Sequence, residues 1–199
     1  MTSTQITRKV LSKPKDFQRD KKLILLDLDN TLICAEDLDS NSCEQSLADA
    51  RKKFRTVRME DYYDIFERPH LQEFLNYLFE NFKVGVWTAS SKDYAIFVIE
   101  NFITRPENMV LENRKIELFL CSHHCNVSKR YFKGVSKDLK LISDKWNLEN
   151  LNNIILIDDL ENLAKHQPGN MILVKPFYHT SEKDDELLKV KSILNKYLS

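Results

Sequence analysis

Glycine is almost missing from this chain: Gly85, Gly134 and Gly169 are the three it has in 199 residues. Phosphate cradles of the P-loop and dinucleotide types need several glycines close together, so both are excluded. Net charge is missing too, because 30 basic residues balance 30 acidic ones. No global electrostatic pull toward nucleic acid or an acidic membrane follows from that balance. No apolar run is long enough to span a bilayer, and the opening MTSTQITRKVLSKPKD lacks the apolar stretch of a secretory signal. The four cysteines, Cys34, Cys43, Cys121 and Cys125, are therefore expected to be free thiols in a reducing compartment. Nucleus and cytoplasm are both compatible with this.

What is present is enough apolar material for a full core, at 42% of residues. The length suggests one domain with room for small excursions. Residues 1–20 are polar and read as a flexible leader, and 21–199 as the domain, with insertions near 34–66 and 103–135. Within it, short apolar runs alternate with helical patterns. Lys22 to Leu28, Val84 to Trp87, Ile116 to Leu120, Ile154 to Ile157 and Met171 to Val174 read as strands. A helix opened by Pro69 would carry Leu71, Phe74, Leu75, Leu78 and Phe82 on one face. Ser90 or Ser91 can cap the next helix, with Tyr94, Ile96, Phe97 and Ile99 buried. Ser136 can cap another, holding Leu139, Leu141, Ile142 and Trp146. Ser181 and Asp184 resemble a capping-box start for a last helix with Leu187, Leu188, Ile193, Leu194 and Leu198 at helical spacing. Residues 35–53 look polar and aperiodic, and Phe54 to Phe66 looks like a hairpin. The basic stretch Arg51, Lys52, Lys53 and Arg55 reads as a solvated face, with a docking patch as the alternative. This β-α alternation predicts an α/β fold with a parallel sheet and helices on both faces.

In such sheets, ligands bind at the carboxyl ends of the strands, so the polar residues there are the ones to weigh. The first strand ends in Asp27-Leu28-Asp29-Asn30-Thr31, the second in Thr88-Ala89-Ser90, and a later one in Asp158-Asp159; Lys137 lies between them, after Ser136. Carboxylates without cysteine or histidine partners suit a hard cation such as Mg2+, which would relieve repulsion between Asp27 and Asp158 and attract a phosphate. Thr88 could donate to a phosphate oxygen and Lys137 could neutralise another. One aspartate can attack phosphorus, and a second can protonate the leaving oxygen and later activate water. Asp27 and Asp29 have the types and spacing for these jobs. Aspartate and asparagine also end strands in ordinary turns, so the weight rests on the joint set rather than on any one residue. An EF-hand is excluded, because no glycine stands at its sixth position and the loop runs into Leu32-Ile33.

These residues carry a resemblance. The sequence is similar to the haloacid-dehalogenase-type phosphatases, and within them to the small phosphatases of the RNA polymerase II C-terminal-domain type, also called NLI-interacting-factor-like. The matching pieces are LLDLDNTLI at 25–33, ERPHLQEFLNYLFENFKVGVWTAS at 67–90, SKDL at 136–139 and IILIDDLENLAKHQPGNMILVKPF at 154–177. They span roughly 22–198, and the block from Arg68-Pro69-His70 to Thr88-Ala89-Ser90 is the most specific to the subfamily. The resemblance implies a Rossmann-like parallel sheet with a small β insertion. It also implies Asp27 as nucleophile, Asp29 as general acid/base, and Asp27, the Asp29 carbonyl and Asp158 as Mg2+ ligands. Thr88, Ala89 and Lys137 would bind phosphate, with Thr31 and Asp159 in support. The implied activity is removal of phosphate from serine or threonine in a phosphoprotein, by a monomer with no nucleic acid or membrane partner. Two features depart from the family. Asp158-Asp159-Leu160-Glu161 stands where Asp-Asn-Ser-Pro is usual, and the extra carboxylate at Asp159 either strengthens metal binding or shifts its neighbour's pKa upward. Residues 34–66 look little like the family's usual hairpin.

Two other functions fit the same residues. One is a phosphatase of the superfamily for a metabolite, nucleotide or polynucleotide end, though such enzymes often carry a large cap domain that this chain has no room for. The other is a binding module that kept the fold and lost the chemistry; the presence of both Asp27 and Asp29 argues against it. Cys121-Ser122-His123-His124-Cys125 invites a zinc reading, but its spacing is too tight for the separated ligand pairs of a standard site. Phe119, Tyr131 and Phe132 could line a groove, although core packing is the commoner role. His166 and His179 read as surface or packing residues. Cys34 reads as a small buried hydrophobe, with oxidation sensitivity as the alternative.

Overall fold

The computed structural model describes residues 21–39, 44–104, 111–181 and 183–198; the leader at 1–20 and Cys43 lie outside them. The main sheet has five strands: β1 (Leu23–Leu26), β5 (Lys83–Trp87), β6 (Ile116–Leu120), β7 (Ile154–Asp158) and β8 (Met171–Leu173). They run in the order β6-β5-β1-β7-β8, and every pairing is parallel. The α/β reading from the sequence is borne out.

β1 is the central strand and its four residues are buried. Side chains alternate across a strand, so each strand feeds two cores. Ile24 and Leu26 join Val84, Val86, Ile155 and Ile157 on one face. Leu23 and Leu25 join Leu118, Leu120, Ile154 and Leu156 on the other. The first face is covered by α2 (Leu71–Asn81), α3 (Lys92–Val98, continuing as a π-helical stretch Ile99–Thr104) and α6 (Glu186–Leu194). The second is covered by α4 (Ser122–Tyr131), the π-helical turn Leu141–Lys145 and α5 (Glu161–His166). Gly85 is where backbones crowd: an added Cβ would meet Leu118 O at 2.8 Å and a Leu25 methyl at 2.8 Å. Only glycine lets β5 and β6 pass at that point, where their register shifts.

A second, antiparallel sheet is inserted between β1 and β5. It holds β2 (Ile33–Asp37), β3 (Thr56–Met59) and β4 (Tyr63–Glu67) in the order β2-β4-β3. The expected hairpin is β3-β4. Residues 44–53, within the stretch that looks aperiodic, form α1 (Glu44–Lys53). It buries Leu47 and Ala50, too few apolar positions to show a helical period. Both pack with Cys34, Phe54, Phe66 and Phe177 in a small third core.

Several expected helix starts are corrected. Pro69 does not sit in the first helical turn: α2 begins at Leu71, behind His70 in a left-handed conformation at φ 65°. Ser136 caps no helix: residues 136, 137 and 139 are turn, and the helical stretch begins only at Lys140. Ser181 does not cap α6 but accepts from the Tyr178 N–H, and the Glu186 N–H is held by Asp184 Oδ1 instead. The buried stripe of α6 is Leu187, Val190 and Leu194, while Ile193 and Leu198 are exposed. Within 103–135, residues 116–120 are a strand of the main sheet, paired with β5 rather than set apart from it. Of the helix starts, Ser91 behaves as expected and accepts from Tyr94 N at 3.4 Å.

Candidate active site

The chain leaves β1 at Asp27 and turns at once. Leu32 and Ile33 N–H both bond back to Leu28 O, at 2.8 and 3.1 Å, and Asn30 takes a left-handed φ of 58° that asparagine tolerates better than most residues. The turn is pinned from two sides. Phe177 N donates to Asn30 O at 2.8 Å, and Asn30 Nδ2 donates to Phe177 O at 3.0 Å. Arg68, fully buried, donates to Thr31 O at 2.8 Å and Lys175 O at 2.8 Å, and its guanidinium forks onto both oxygens of Asp184 at 2.9 Å each. A planar fork suits such a junction, where lysine could make one contact at a time. The sequence marks Arg68 as part of a specific block without giving it this task.

Because β1 and β7 are neighbours in parallel register, Asp27 and Asp158 end side by side. Lys137 Nζ bridges them, 2.6 Å from Asp27 Oδ1 and 2.7 Å from Asp158 Oδ2. All three are buried. Burial opposes the ammonium charge, yet the two carboxylates outweigh it and hold Lys137 above its ordinary range. Burial pushes Asp27 up to about 7; Lys137 pulls the other way, and Asp158 and then Asp29 add to the rise. Asp159 is raised as well, by burial and by Asp158. Oxygens of Asp27, Asp158 and Asp159 lie within 4.8 Å of one another.

Lys137 is not at a helix start as expected. Its turn is held from outside. Gln167 Nε2 donates to Lys137 O at 3.0 Å, Asp138 N donates to Ser128 Oγ at 3.0 Å, and Asp138 Oδ2 meets His166 Nε2 at 2.7 Å. His166, read as a surface or packing residue, thus anchors the residue after Lys137.

Asp29 faces a different wall. Ser90 Oγ donates to its Oδ2 at 2.6 Å and Tyr94 OH to its Oδ1 at 2.5 Å. One donor is in the turn after β5 and the other on the first turn of α3, so the end of the neighbouring strand positions this carboxylate. Burial, and then the charge of Asp29, hold the Tyr94 phenol above its ordinary range, so it stays a donor. Sequence spacing buries Tyr94 as core and misses this contact. The only available signal is that Ser90 and Tyr94 lie one helical turn apart, at i and i+4. Thr88 is buried at the end of β5, its Oγ1 accepting from Ser90 N at 3.1 Å. Ala89 beside it is exposed. The Thr31 hydroxyl is buried without a partner among the described residues; Thr31 is held by its backbone, its carbonyl accepting from Arg68 and its N–H donating to Leu28 O at 3.2 Å. The Cys121–Cys125 stretch forms the start of α4: Cys121 N donates to His124 Nδ1 at 3.1 Å, and Cys125 packs its thiol on Thr88 O.

Removing the Tyr94 hydroxyl should loosen Asp29, expected from the resemblance to be the acid/base, while leaving Thr88 and Lys137, the expected phosphate binders, in place. Tyr94→Phe is expected to lower kcat about tenfold, the equivalent of one hydrogen bond of ~1.4 kcal/mol, with KM little changed. Steady-state kinetics on an aryl phosphate would check it. A change confined to KM would place Tyr94 in substrate binding instead.

With this geometry in view, the comparisons with known proteins are decisive. The family model described as NLI interacting factor-like phosphatase matches residues 22–199. The chain belongs to that family. The CTD phosphatase-like protein 355R of Invertebrate iridescent virus 3 is 69% identical over 180 residues, 89% of this chain and 97% of that one. Its counterpart in Invertebrate iridescent virus 6 is 45% identical over 185 residues, 89% and 100% of the two chains. Among solved structures, Fcp1, an RNA polymerase II CTD phosphatase, superposes with a TM-score of 0.54 at 18% identity. That likeness is one of fold, over 98% of this chain and about half (51%) of the Fcp1 chain. The protein is thus a phosphatase of haloacid-dehalogenase type and a member of the CTD phosphatase-like group. No helix among the described residues is long and apolar enough to cross a membrane.

Proposed function

We propose that this NLI interacting factor-like protein is an Mg2+-dependent phosphatase that removes phosphate from phosphoserine or phosphothreonine in protein substrates, through an aspartyl-phosphate on Asp27. The observation that carries the proposal is the buried Lys137 bridge between Asp27 and Asp158, with Asp29 held apart on hydroxyls.

The donor set fits a hard dication. Asp27, Asp158 and Asp159 offer oxygens alone, within one ion's reach, and when ionised their three negative charges face one ammonium. The remaining charge of about minus two calls for a doubly charged partner. Asp27 and Asp158 would hold Mg2+, with Asp159 as a further oxygen donor where the family usually has asparagine. When bound, the ion supplies charge neutralisation for the phosphate oxygens and keeps Asp27 ionised. The rest is done by this chain's own side chains. An oxygen of Asp27 forms a bond to phosphorus while the phosphorus–serine oxygen bond breaks. Lys137 neutralises charge gathering on the phosphoryl oxygens, and Thr88 at the end of β5 is placed to donate to one of them. Asp29 gives its proton to the departing serine oxygen. For that, one of its two hydroxyl partners turns from donor to acceptor, which a serine hydroxyl does freely. Asp29 then takes a proton from water as the water oxygen attacks phosphorus, and Asp27 leaves as carboxylate with inorganic phosphate released.

A protein substrate is favoured over a metabolite by what covers the site. Among the described residues the insertion between β1 and β5 is one three-stranded sheet with α1, not a cap domain. Relatives bearing the name CTD phosphatase-like support the same choice. A panel of phosphoserine peptides, sugar phosphates and nucleotides, each with Mg2+ and with excess chelator, tests it. Peptides are expected to lead and chelator to abolish turnover. Preference for a sugar or nucleotide phosphate would overturn the substrate assignment, and chelator-resistant turnover the metal assignment.

A further inference from the structure

A second cluster, of different chemistry, lies away from the Lys137 bridge. Cys34 and Glu36 are two residues apart on β2 and so project from the same face. His179 reaches them from the segment after β8, and Ser46 stands behind it on α1. One donor atom each from Cys34, Glu36 and His179 lies within 4.8 Å of the other two. Glu36 Oε1 is 2.7 Å from His179 Nδ1 and 3.5 Å from Cys34 Sγ. Cys34 is buried, and the side chains of His179 and Glu36 are 12% and 22% exposed.

We propose that Cys34, Glu36 and His179 form a binding site for Zn2+ or a similar borderline-soft dication, separate from the carboxylate site at the strand ends. The proposal does not depend on the phosphatase mechanism. A thiol, an imidazole and a carboxylate together are the donor set that zinc takes and magnesium does not. Bond lengths near 2.0 Å for oxygen and nitrogen and 2.3 Å for sulfur put tetrahedral ligand atoms about 3.3–3.5 Å apart. The Cys34–Glu36 separation of 3.5 Å already matches, and the Glu36–His179 pair at 2.7 Å needs to open by about 0.6 Å. The backing is in place too. His179 Nε2 lies 3.0 Å from Ser46 Oγ. Without a cation, Nδ1–H can donate to Glu36 while the Ser46 hydroxyl donates to Nε2. With one, the imidazole proton moves to Nε2 and donates to Ser46, which frees Nδ1 as a ligand. A hydroxyl serves either arrangement, and this outer partner fixes the tautomer as metal sites require.

The competing use of Cys34, as a reactive thiolate, is disfavoured. Burial pushes its thiol up to about 12, so at neutral pH the sulfur keeps its proton unless a cation displaces it. The other cysteine–histidine pair offers less. Cys121 Sγ and His124 Nδ1 are 3.8 Å apart, but that nitrogen already accepts from Cys121 N, and no third metal-ligating group joins them among the described residues. A cation at the Cys34 site would tie β2, α1 and the chain after β8 together where Phe66 and Phe177 also pack.

Titrating the full chain with Co2+ tests this, because only a thiolate ligand gives a sulfur-to-cobalt charge-transfer band in the near ultraviolet. One equivalent should produce the band, Zn2+ should erase it and Mg2+ should not. Cys34→Ser should lose it. Ser46→Ala, which leaves the three ligands in place, should weaken cobalt binding about tenfold; this arm remains readable if Cys34→Ser does not fold. Cys121→Ser and Asp27→Asn should leave the band unchanged. No band in the unmodified protein, a band that survives Cys34→Ser, or one lost in Cys121→Ser would overturn the site.

Discussion

Asp27→Asn is expected to lower phosphate release from a phosphoserine peptide by about ten-thousand-fold or more while the protein stays folded. An amide oxygen is a poor nucleophile, and the carboxylates of Asp158 and Asp29 are already engaged elsewhere. Asp158 has one oxygen on Lys137 and the other on Leu160 N, and Asp29 is held on Ser90 and Tyr94. The fold should survive because burial already pushes Asp27 up to about 7. A neutral side chain of the same shape at this position therefore costs little, and in metal-free protein the melting temperature should hardly move. Turnover assays on peptide and aryl phosphate, beside a thermal melt, check both halves. Undiminished turnover would remove Asp27 from the chemistry.

The second large effect is on stability. Lys137→Met leaves Asp27 and Asp158 buried without their shared ammonium. Breaking a buried ion pair by removing one partner typically costs about 3–5 kcal/mol, because a charge is stranded. The pH dependence gives the effect a signature. Asp27 is already raised from 3.8 to about 7 in the folded protein, and losing Lys137, the largest cause pulling it down, raises it further. A carboxyl raised on folding contributes stability below its unfolded value, which is lost as pH rises through the folded one. The deficit of Lys137→Met against the unmodified protein should thus be small near pH 4 and grow past pH 7. Denaturant melts at several pH values in chelator check this; a deficit independent of pH would mean that packing, not charge, is what Lys137 supplies.

What could be read in the sequence follows a physical division. β1 and β7 are short apolar runs that give way abruptly to aspartate, so a buried parallel strand and its charged tip are visible in a few consecutive residues. Asp27, Asp29 and Asp158 were accessible for that reason, and the structure brings Asp27, Asp158 and Asp159 together. Lys137 was accessible from its place after Ser136 among the strand-end residues and from the resemblance, but its local structure was not. Its turn is built by Ser128, His166 and Gln167, none of them near Lys137 in sequence. α1 escaped because Leu47 and Ala50 alone point inward. Arg68 on Asp184, Tyr94 on Asp29 and His179 on Glu36 escaped for a further reason. Each pairs residues 65 to 143 positions apart, and single-sequence periodicity carries no information about who meets whom at that range.

The most direct test of the central claim is to quench the enzyme during turnover of a phosphoserine peptide with borohydride, which reduces an acyl phosphate to an alcohol, and to map the modified residue by mass spectrometry. Homoserine at position 27, formed only when the phosphopeptide is present and missing in Asp27→Asn, is the predicted result. Steady phosphate release with an unmodified Asp27, or reduction at any other carboxylate, would contradict it.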